Sequence, residues 1–237
     1  AEVEVVNDLD SDIVHFFRVL RRANGESEVR ERLIHFVKHI PMAREEYEYW
    51  NRQWGKRNKP SNPVDRAAMW YFLQCCAVNG KGGWIHAPTD NKADYWQLCV
   101  SRLPKAIERL KHVQIEHSDF AKVIRTYDRE NTLFYVDPPY LGVRGVDEYY
   151  DGAPPMSEER HEELAELLNK VVGKVILSYY PHPLLDRIYP VPKWRSEITK
   201  VPKYSQGSQP DSVKDMAEEL LLYNYEPRPL FRLMGQE

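Results

Sequence analysis

The stretch "LFYVDPPYLG" occupies Leu133–Gly142. Leu133, Phe134, Tyr135 and Val136 have strand propensity and run straight into an acid, two prolines and a tyrosine. In open α/β sheets ligands bind outside the carboxyl ends of the strands, which is where Asp137 is delivered. A residue before proline is pushed to extended backbone. Pro138 and Pro139 fix their own φ angles and have no N–H to donate. The turn is therefore stiff, and the Pro138 carbonyl is left to accept a hydrogen bond from outside the sheet.

A carboxylate beside a backbone carbonyl is a pair of acceptors that matches the two N–H bonds of a planar amino group. The amine of adenine is a poor nucleophile because its lone pair is spread into the ring. Two acceptors that draw its hydrogens out of plane return the lone pair to nitrogen, which can then attack a sulfonium methyl in line without a metal. Asp137 need not be a strong base, since positioning and charge stabilisation carry the work. Tyr140 would stack on the base, which must first leave the duplex at a cost of a few kcal/mol. The competing reading is a turn of the Asp-Pro type that only ends a strand.

Composition narrows the class. A net charge of −3 argues against a uniformly basic nucleic-acid binder and leaves room for a local basic patch. The 12% aromatic share suits either a core or base stacking. Cys75, Cys76 and Cys99 are odd in number and lack zinc-like pairing, so they read as buried thiols in a reducing cytosol, and no metal is expected. No apolar run approaches the roughly 20 residues that span a bilayer.

Along the chain, "AEVEVV" reads as a strand over Ala1–Val6, followed by a helix with Ile13, Phe16, Phe17 and Leu20 on one face. A second helix runs from Glu28 to His39. Arg44–Lys59 is polar, basic and aromatic; an apolar helix covers Val64–Ala77, and another follows in which Pro104 is a break or a first-turn residue. "VQIEHSDF", "LFYV", "KVILSYY" and "EELLLYNY" read as strands, with a helix after Ser157 that Gly173 stops. Val201–Asp215 has loop composition. Strands at both ends and helices between them predict one α/β sheet interrupted by an α-rich insertion.

The pieces "VVNDLDSDIVHFFRVLR", "DRAAMWYFLQCCAVNGKGGW", "IEHSDFAKVI", "LFYVDPPYLG", "MSEERHEELAELL", "KVILSYY" and "ELLLYNYEP" follow one another between Val3 and Tyr225. In that order they resemble the adenine-specific (N6) DNA methyltransferases, the family that includes the bacterial GATC methylases. "DPPY" after an apolar strand looks like that family's catalytic motif, in which Asp is usual for adenine and Ser for cytosine. The resemblance implies a Rossmann-like S-adenosylmethionine-dependent sheet. Its catalytic domain would comprise 1–22 and 111–237, with an α-rich target-recognition domain inserted at 23–110.

Carried onto this chain, the resemblance gives Asp137, Pro138, Pro139 and Tyr140 the target adenine. It gives Asp8 the ribose hydroxyls of S-adenosylmethionine, and Asp119 with Phe120 the cofactor's adenine. The competing readings are that Asn7, Asp8 or Asp10 caps the next helix, and that Asp119 caps a turn with Phe120 in the core. The implied partner is double-stranded DNA, bound by a monomer or weak dimer in the cytoplasm. Lys56, Arg57 and Lys59 would hold phosphates, unless they are only a solvated basic loop. Arg66, Asn79, Gly80 and Lys81 lie in the most family-like part of the insertion, although Ala77 stands where the family often has an aromatic residue. His161 reads as a structural histidine on a helix face.

The family's glycine-rich cofactor loop, expected before the acidic turn at Asp8, does not occur there, and "GKGG" at Gly80 lies inside the insertion. The chain thus reads as starting one strand and one helix into the fold, either as a fragment or as a natural truncated remnant. Three activities stay in play: adenine methylation of DNA, non-catalytic DNA binding by a remnant, and methylation of RNA adenine. The chain alone is expected to bind S-adenosylmethionine weakly or not at all. Micromolar binding in calorimetry would refute that.

Overall fold

The computed structural model describes residues 2–78, 83–86, 91–141, 156–202 and 216–226. These divide into two compact units, one up to Ser118 and the other from Asp119 onward.

In the first unit, strands β1 (Glu4–Asn7) and β2 (Val113–Glu116) pair in parallel, with Glu4 opposite Val113 and Asn7 opposite Glu116. A parallel pair cannot be closed by a hairpin and needs a crossover. Here the crossover carries α1 (Ser11–Arg22), α2 (Ser27–His39), α3 (Arg44–Gly55), α4 (Pro63–Cys75) and α5 (Lys92–Arg109). Asp10 starts α1 by accepting the N–H groups of Asp12 at 2.7 Å and Ile13 at 3.3 Å. Asn62 does the same for α4, with Pro63 in the first turn, where a missing N–H costs nothing.

The helices share one core. Phe16, Val19 and Leu20 of α1 meet Leu33 and Val37 of α2, Ala67, Ala68 and Phe72 of α4, and Trp96, Leu103 and Ile107 of α5. The two alanines keep the α4 backbone close to its neighbours. The helix containing Pro104 neither breaks nor starts there. It runs through, because Cys99, Val100, Leu103 and Ile107 are buried on both sides of the proline and outweigh the one lost hydrogen bond. The polar, aromatic stretch from Arg44 is a helix that buries only Tyr47 fully, which explains its weak apolar pattern.

The second unit holds a four-stranded sheet in the order β3-β4-β6-β5. Strands β3 (Leu133–Val136) and β4 (Lys174–Tyr179) are parallel, and between them in sequence lies helix α7 (Glu158–Leu168); α6 (Phe120–Tyr127) precedes β3. After β4 come α8 (Pro183–Ile188), β5 (Arg195–Pro202) and β6 (Met216–Tyr223), the last antiparallel to both β4 and β5. The core is Leu164, Leu168, Val175, Leu177, Tyr179, Trp194, Leu220 and Leu222. Ser157 caps α7 as expected.

Two readings are corrected, the single sheet and the loop at Val201–Pro202, which closes a strand. The single sheet is two hydrogen-bonded pieces among the described residues, because no described strand bridges β1–β2 and β3; β3 is an edge, with Leu133 and Tyr135 exposed. Strand β5 was unforeseen: Arg195–Lys200 is exposed throughout, so no apolar alternation marks it, and its charges suit an edge. The part of the Val201–Asp215 loop from 203 on lies outside the described residues.

Gly173 does not stop α7, which ends at Leu168 with Asn169 as its cap. It lies instead where backbones crowd: an added Cβ would stand 3.0 Å from the Arg129 and Thr132 carbonyl oxygens. The Asp128 carboxylate meanwhile accepts the N–H groups of Val172 at 3.1 Å and Gly173 at 2.9 Å. Carbonyls fixed in a turn cannot yield cheaply, so Gly173→Ala should lower the unfolding free energy by about 1–3 kcal/mol in urea titration, the cost typical of overpacking.

Candidate active site

Strand β3 ends at Val136 and presents Asp137 to solvent. The Tyr140 hydroxyl donates to Asp137 Oδ1 at 2.8 Å. It also lies 2.8 Å from Ser178 Oγ, and that hydroxyl lies 2.8 Å from Glu219 Oε1. Ser178 is buried, at 1% exposure. Register explains the meeting of β4 and β6: Ser178 faces Leu221, which makes Glu219 its diagonal neighbour on the same face. Burial first, then the charges of Asp137 and Glu219, push the Tyr140 phenol well above its ordinary range against the opposing Ser178 contact. The Tyr140 ring lies 4.8 Å from that of Tyr179 and 4.7 Å edge-on from that of Tyr180.

The turn is fastened from behind. Leu141 N–H donates to the Tyr179 hydroxyl at 2.8 Å, and that hydroxyl lies 3.2 Å from His161 Nε2. His161 is buried in α7 and shares a hydrogen bond with the Pro139 carbonyl. Burial lowers its pKa to about 4; the Pro139 bond opposes the shift and the charge of His182 adds to it. A neutral imidazole suits both contacts, giving its N–H to the carbonyl and its lone pair to the tyrosine.

In the same unit Asp119 caps α6, accepting Ala121 N–H at 2.8 Å. Its second oxygen pairs with Arg160, which also pairs with Glu163. The Arg160 guanidinium lies over the Phe120 ring, 4.4 Å from its centre. Asp119 is thus a cap, as one reading had it, and also half of an acid–ring pair that holds a planar cation.

In the first unit Asp8 accepts Asp10 N–H at 2.8 Å, and the cap of α1 is Asp10 rather than Asp8. Asn7 ties the strand ends by donating to the Ser118 carbonyl at 2.9 Å and accepting Ser118 N–H at 3.0 Å. Asp12, unnoticed in the sequence, is the charged centre of the helices. Lys59 Nζ and Trp54 Nε1 each lie 2.7 Å from its Oδ2, and Arg66 pairs with its Oδ1. Burial alone would raise this carboxyl; the Arg66, Lys59 and Trp54 donors hold it below its usual value.

Of the expected DNA contacts, Lys59 and Arg66 therefore share an internal counter-ion. Lys56 and Arg57 are exposed at the end of α3. There Arg57 takes a left-handed φ of 58°, Arg57 N–H bonds to the Trp54 carbonyl and Asn58 N–H to that of Gln53, a Schellman ending. Asn79, Gly80 and Lys81 lie outside the described residues. The sequence reading missed Ser178, Glu219, Tyr179 and Arg160. Only Ser178 left a signal, as the one small polar residue within the run "KVILSYY".

Burial also pushes the Cys76 thiol up to about 12, so it is inert in neutral solution. No helix among the described residues is long and apolar enough to cross a membrane.

A family model described as D12 class N6 adenine-specific DNA methyltransferase matches residues 2–202. A type II methyltransferase, M.CviBI of Paramecium bursaria Chlorella virus NC1A, is 24% identical over 195 residues, covering 79% of this chain and 68% of its own.

The buried imidazole makes stability depend on pH. Between its ordinary 6.5 and its folded value of about 4, the unfolded chain binds a proton that the folded chain refuses. Stability should therefore fall as pH drops through that window, by about 2–3 kcal/mol. In His161→Gln, which keeps hydrogen bonding without titrating, urea unfolding at pH 4.5 and 7 should show a clearly smaller difference.

Proposed function

The chain belongs to the D12 class N6 adenine-specific DNA methyltransferase family, and from that premise we propose that Asp137 and the turn behind it methylate the exocyclic amine of an adenine flipped out of duplex DNA. The observation that carries this reading is an exposed carboxylate at the end of a parallel strand, in a turn whose Tyr140 and Leu141 are held by the buried Ser178 and Tyr179. Asp137 and the Pro138 carbonyl serve as the two acceptors for the amine, and Tyr140, backed by the buried Tyr179 and flanked by the exposed Tyr180, offers a face for the base. Anchoring matters because a loss of positioning of even 1 Å at such a site is costly.

The methyl donor of this chemistry is S-adenosylmethionine, which supplies an electrophilic methyl on sulfur. Residues of this chain suit it: Asp119 and Phe120 already hold the planar, N–H-bearing guanidinium of Arg160, and an acceptor beside an aromatic face equally suits an adenine ring. Asp8 would take the ribose hydroxyls, a diol matched to a carboxylate.

The parallel unit β3-α7-β4 supports a Rossmann-like catalytic domain at 1–22 and 111–237. The long helical crossover between β1 and β2 supports the target-recognition domain at 23–110. Lys56 and Arg57, exposed at the α3 corner, would hold phosphates. Lys59 and Arg66, both paired with Asp12, would line the same basic stretch, with Asn79 and Lys81 following in sequence. The similarity to a type II methyltransferase supports a place in restriction–modification; a monomer or weak dimer acting in the cytoplasm completes the proposal.

Transfer of labelled methyl from S-adenosylmethionine, measured on duplex DNA and on RNA, tests the reading. Duplex DNA should be labelled, and Asp137→Ala should lower transfer at least about a hundredfold while leaving DNA affinity unchanged. DNA binding without transfer by the unaltered chain would favour the non-catalytic remnant, and labelling of RNA alone would favour the third activity.

A further inference from the structure

We propose that Ser178 and Glu219, acting through Tyr140, form a relay that carries the proton released by the methylated amine away from Asp137. The proposal rests on the reading of Asp137 as the group that grips the amine.

The row Asp137–Tyr140–Ser178–Glu219 contains three oxygen–oxygen contacts, each 2.8 Å. All three are hydrogen-bond distances, so each requires one hydrogen. The two hydroxyls supply only two, and a carboxylate supplies none. With both carboxylates ionised, Tyr140 donates to Asp137 and Ser178 donates to Glu219, which sets the two hydroxyl oxygens lone pair against lone pair at 2.8 Å. One further proton removes the conflict. Placed on Asp137, it is donated to Tyr140, Tyr140 donates to Ser178 and Ser178 to Glu219. Placed on Glu219, the same row runs in the opposite direction. The geometry therefore fits a row carrying one extra proton that either end can hold.

Methylation supplies that proton. As the amine nitrogen forms its bond to the methyl carbon, the carbon–sulfur bond breaks and sulfur keeps the electron pair. The nitrogen is left positively charged with both its hydrogens, and one passes to Asp137. Asp137 hands its proton to the Tyr140 oxygen, Tyr140 hands its own to Ser178, and Ser178 hands its own to Glu219. Asp137 returns to the carboxylate, both hydroxyls are restored, and Glu219 carries the proton. Glu219 is half-buried, so it can release the proton to water, whereas a base seated on Asp137 would shut that carboxylate off from solvent. Ser178, at 1% exposure, has no access to water and serves only the row. Among the described residues, the other titratable groups beside the row are Tyr179 and Tyr180 at the end of β4, the neutral His161 of α7 behind Tyr179, and Glu197 of β5, the diagonal neighbour of Glu219, with its Tyr223 partner.

The relay makes a claim about the chain without any donor or DNA. With Asp and Glu carboxyl carbons labelled with ¹³C, NMR at one fixed pH should show the Asp137 carboxyl resonance moving when Glu219→Gln alters the far end of the row. In Ser178→Ala, which removes one oxygen and little volume, Glu219→Gln should no longer move it. An Asp137 resonance indifferent to Glu219→Gln in the intact row would overturn the relay. Single-turnover methyl transfer to duplex DNA gives the second readout. The unaltered chain should show a solvent deuterium effect with a curved dependence on deuterium fraction, and both variants should lose the curvature and slow by roughly tenfold. Slowing with the curvature intact would reduce Ser178 and Glu219 to struts for Tyr140 and sink the relay. Failure of the unaltered chain to methylate adenine would strike at the functional reading, and the Asp137 carboxyl resonance would still decide the relay.

Discussion

The Asp-Pro-Pro-Tyr turn cannot hold itself together. Two successive prolines remove two backbone donors, so the ordinary turn hydrogen bonds are not available to it. Its direction has to be imposed by side chains from elsewhere in the second unit. His161 takes the Pro139 carbonyl, Tyr179 takes the Leu141 N–H, and Ser178 takes the Tyr140 hydroxyl. Each of these is buried, and each sits on an element of the core, α7 or β4. The stiffness of the prolines and the burial of the anchors are complementary: the former limits what the turn can do, the latter selects one of the remaining choices. An Asp-Pro turn that merely ended a strand would need none of these three anchors.

The helical half solves a different problem with charge. Asp12 is enclosed where a carboxylate would ordinarily be costly, and three donors from α3, the following loop and α4 converge on it. The arrangement fixes the helices' register at the point where the basic residues emerge. It also means that a basic sequence does not translate one-for-one into a basic surface. Lys59 and Arg66 are both engaged by Asp12, so neither is simply an outward-facing charge. Arg57, by contrast, occupies a left-handed position where glycine would be easier.

What could be read from the sequence followed from local rules. The strand before Asp137, the cap at Ser157, the amphipathic α1 and the apolar α4 all carry patterns that a few neighbouring residues establish. What could not be read depended on distant partners. Strand β5 is exposed along Arg195–Lys200, so it has no apolar alternation, and only β6 makes it a strand. Pro104 looked like an end because the burial of Val100 and Leu103 around it is decided by other helices. Gly173 looked like a helix stop because the crowding carbonyls of Arg129 and Thr132 lie some forty residues away. At the site, Asp137, Pro138, Pro139 and Tyr140 were legible as a motif, whereas Ser178 and Glu219 join it only through the register of β4 and β6. Asp12 was invisible for the same reason: its partners are 42 to 54 residues distant in sequence.

The Arg160 contact shows how an acceptor and a ring can be kept ready without being sealed. A planar ligand at Asp119 and Phe120 would have to displace the guanidinium. Asp119 and Arg160 keep side-chain exposures of 40% and 27%, and an ion pair so open to water contributes only about 0–1 kcal/mol. Arg160 keeps one acid partner when it leaves, because Glu163, one turn along α7, already holds its other nitrogen. An incoming ring would stack on Phe120 in place of the guanidinium. The carboxylate that caps α6 keeps its bond to Ala121 throughout, so the pair stays oriented while its partner changes.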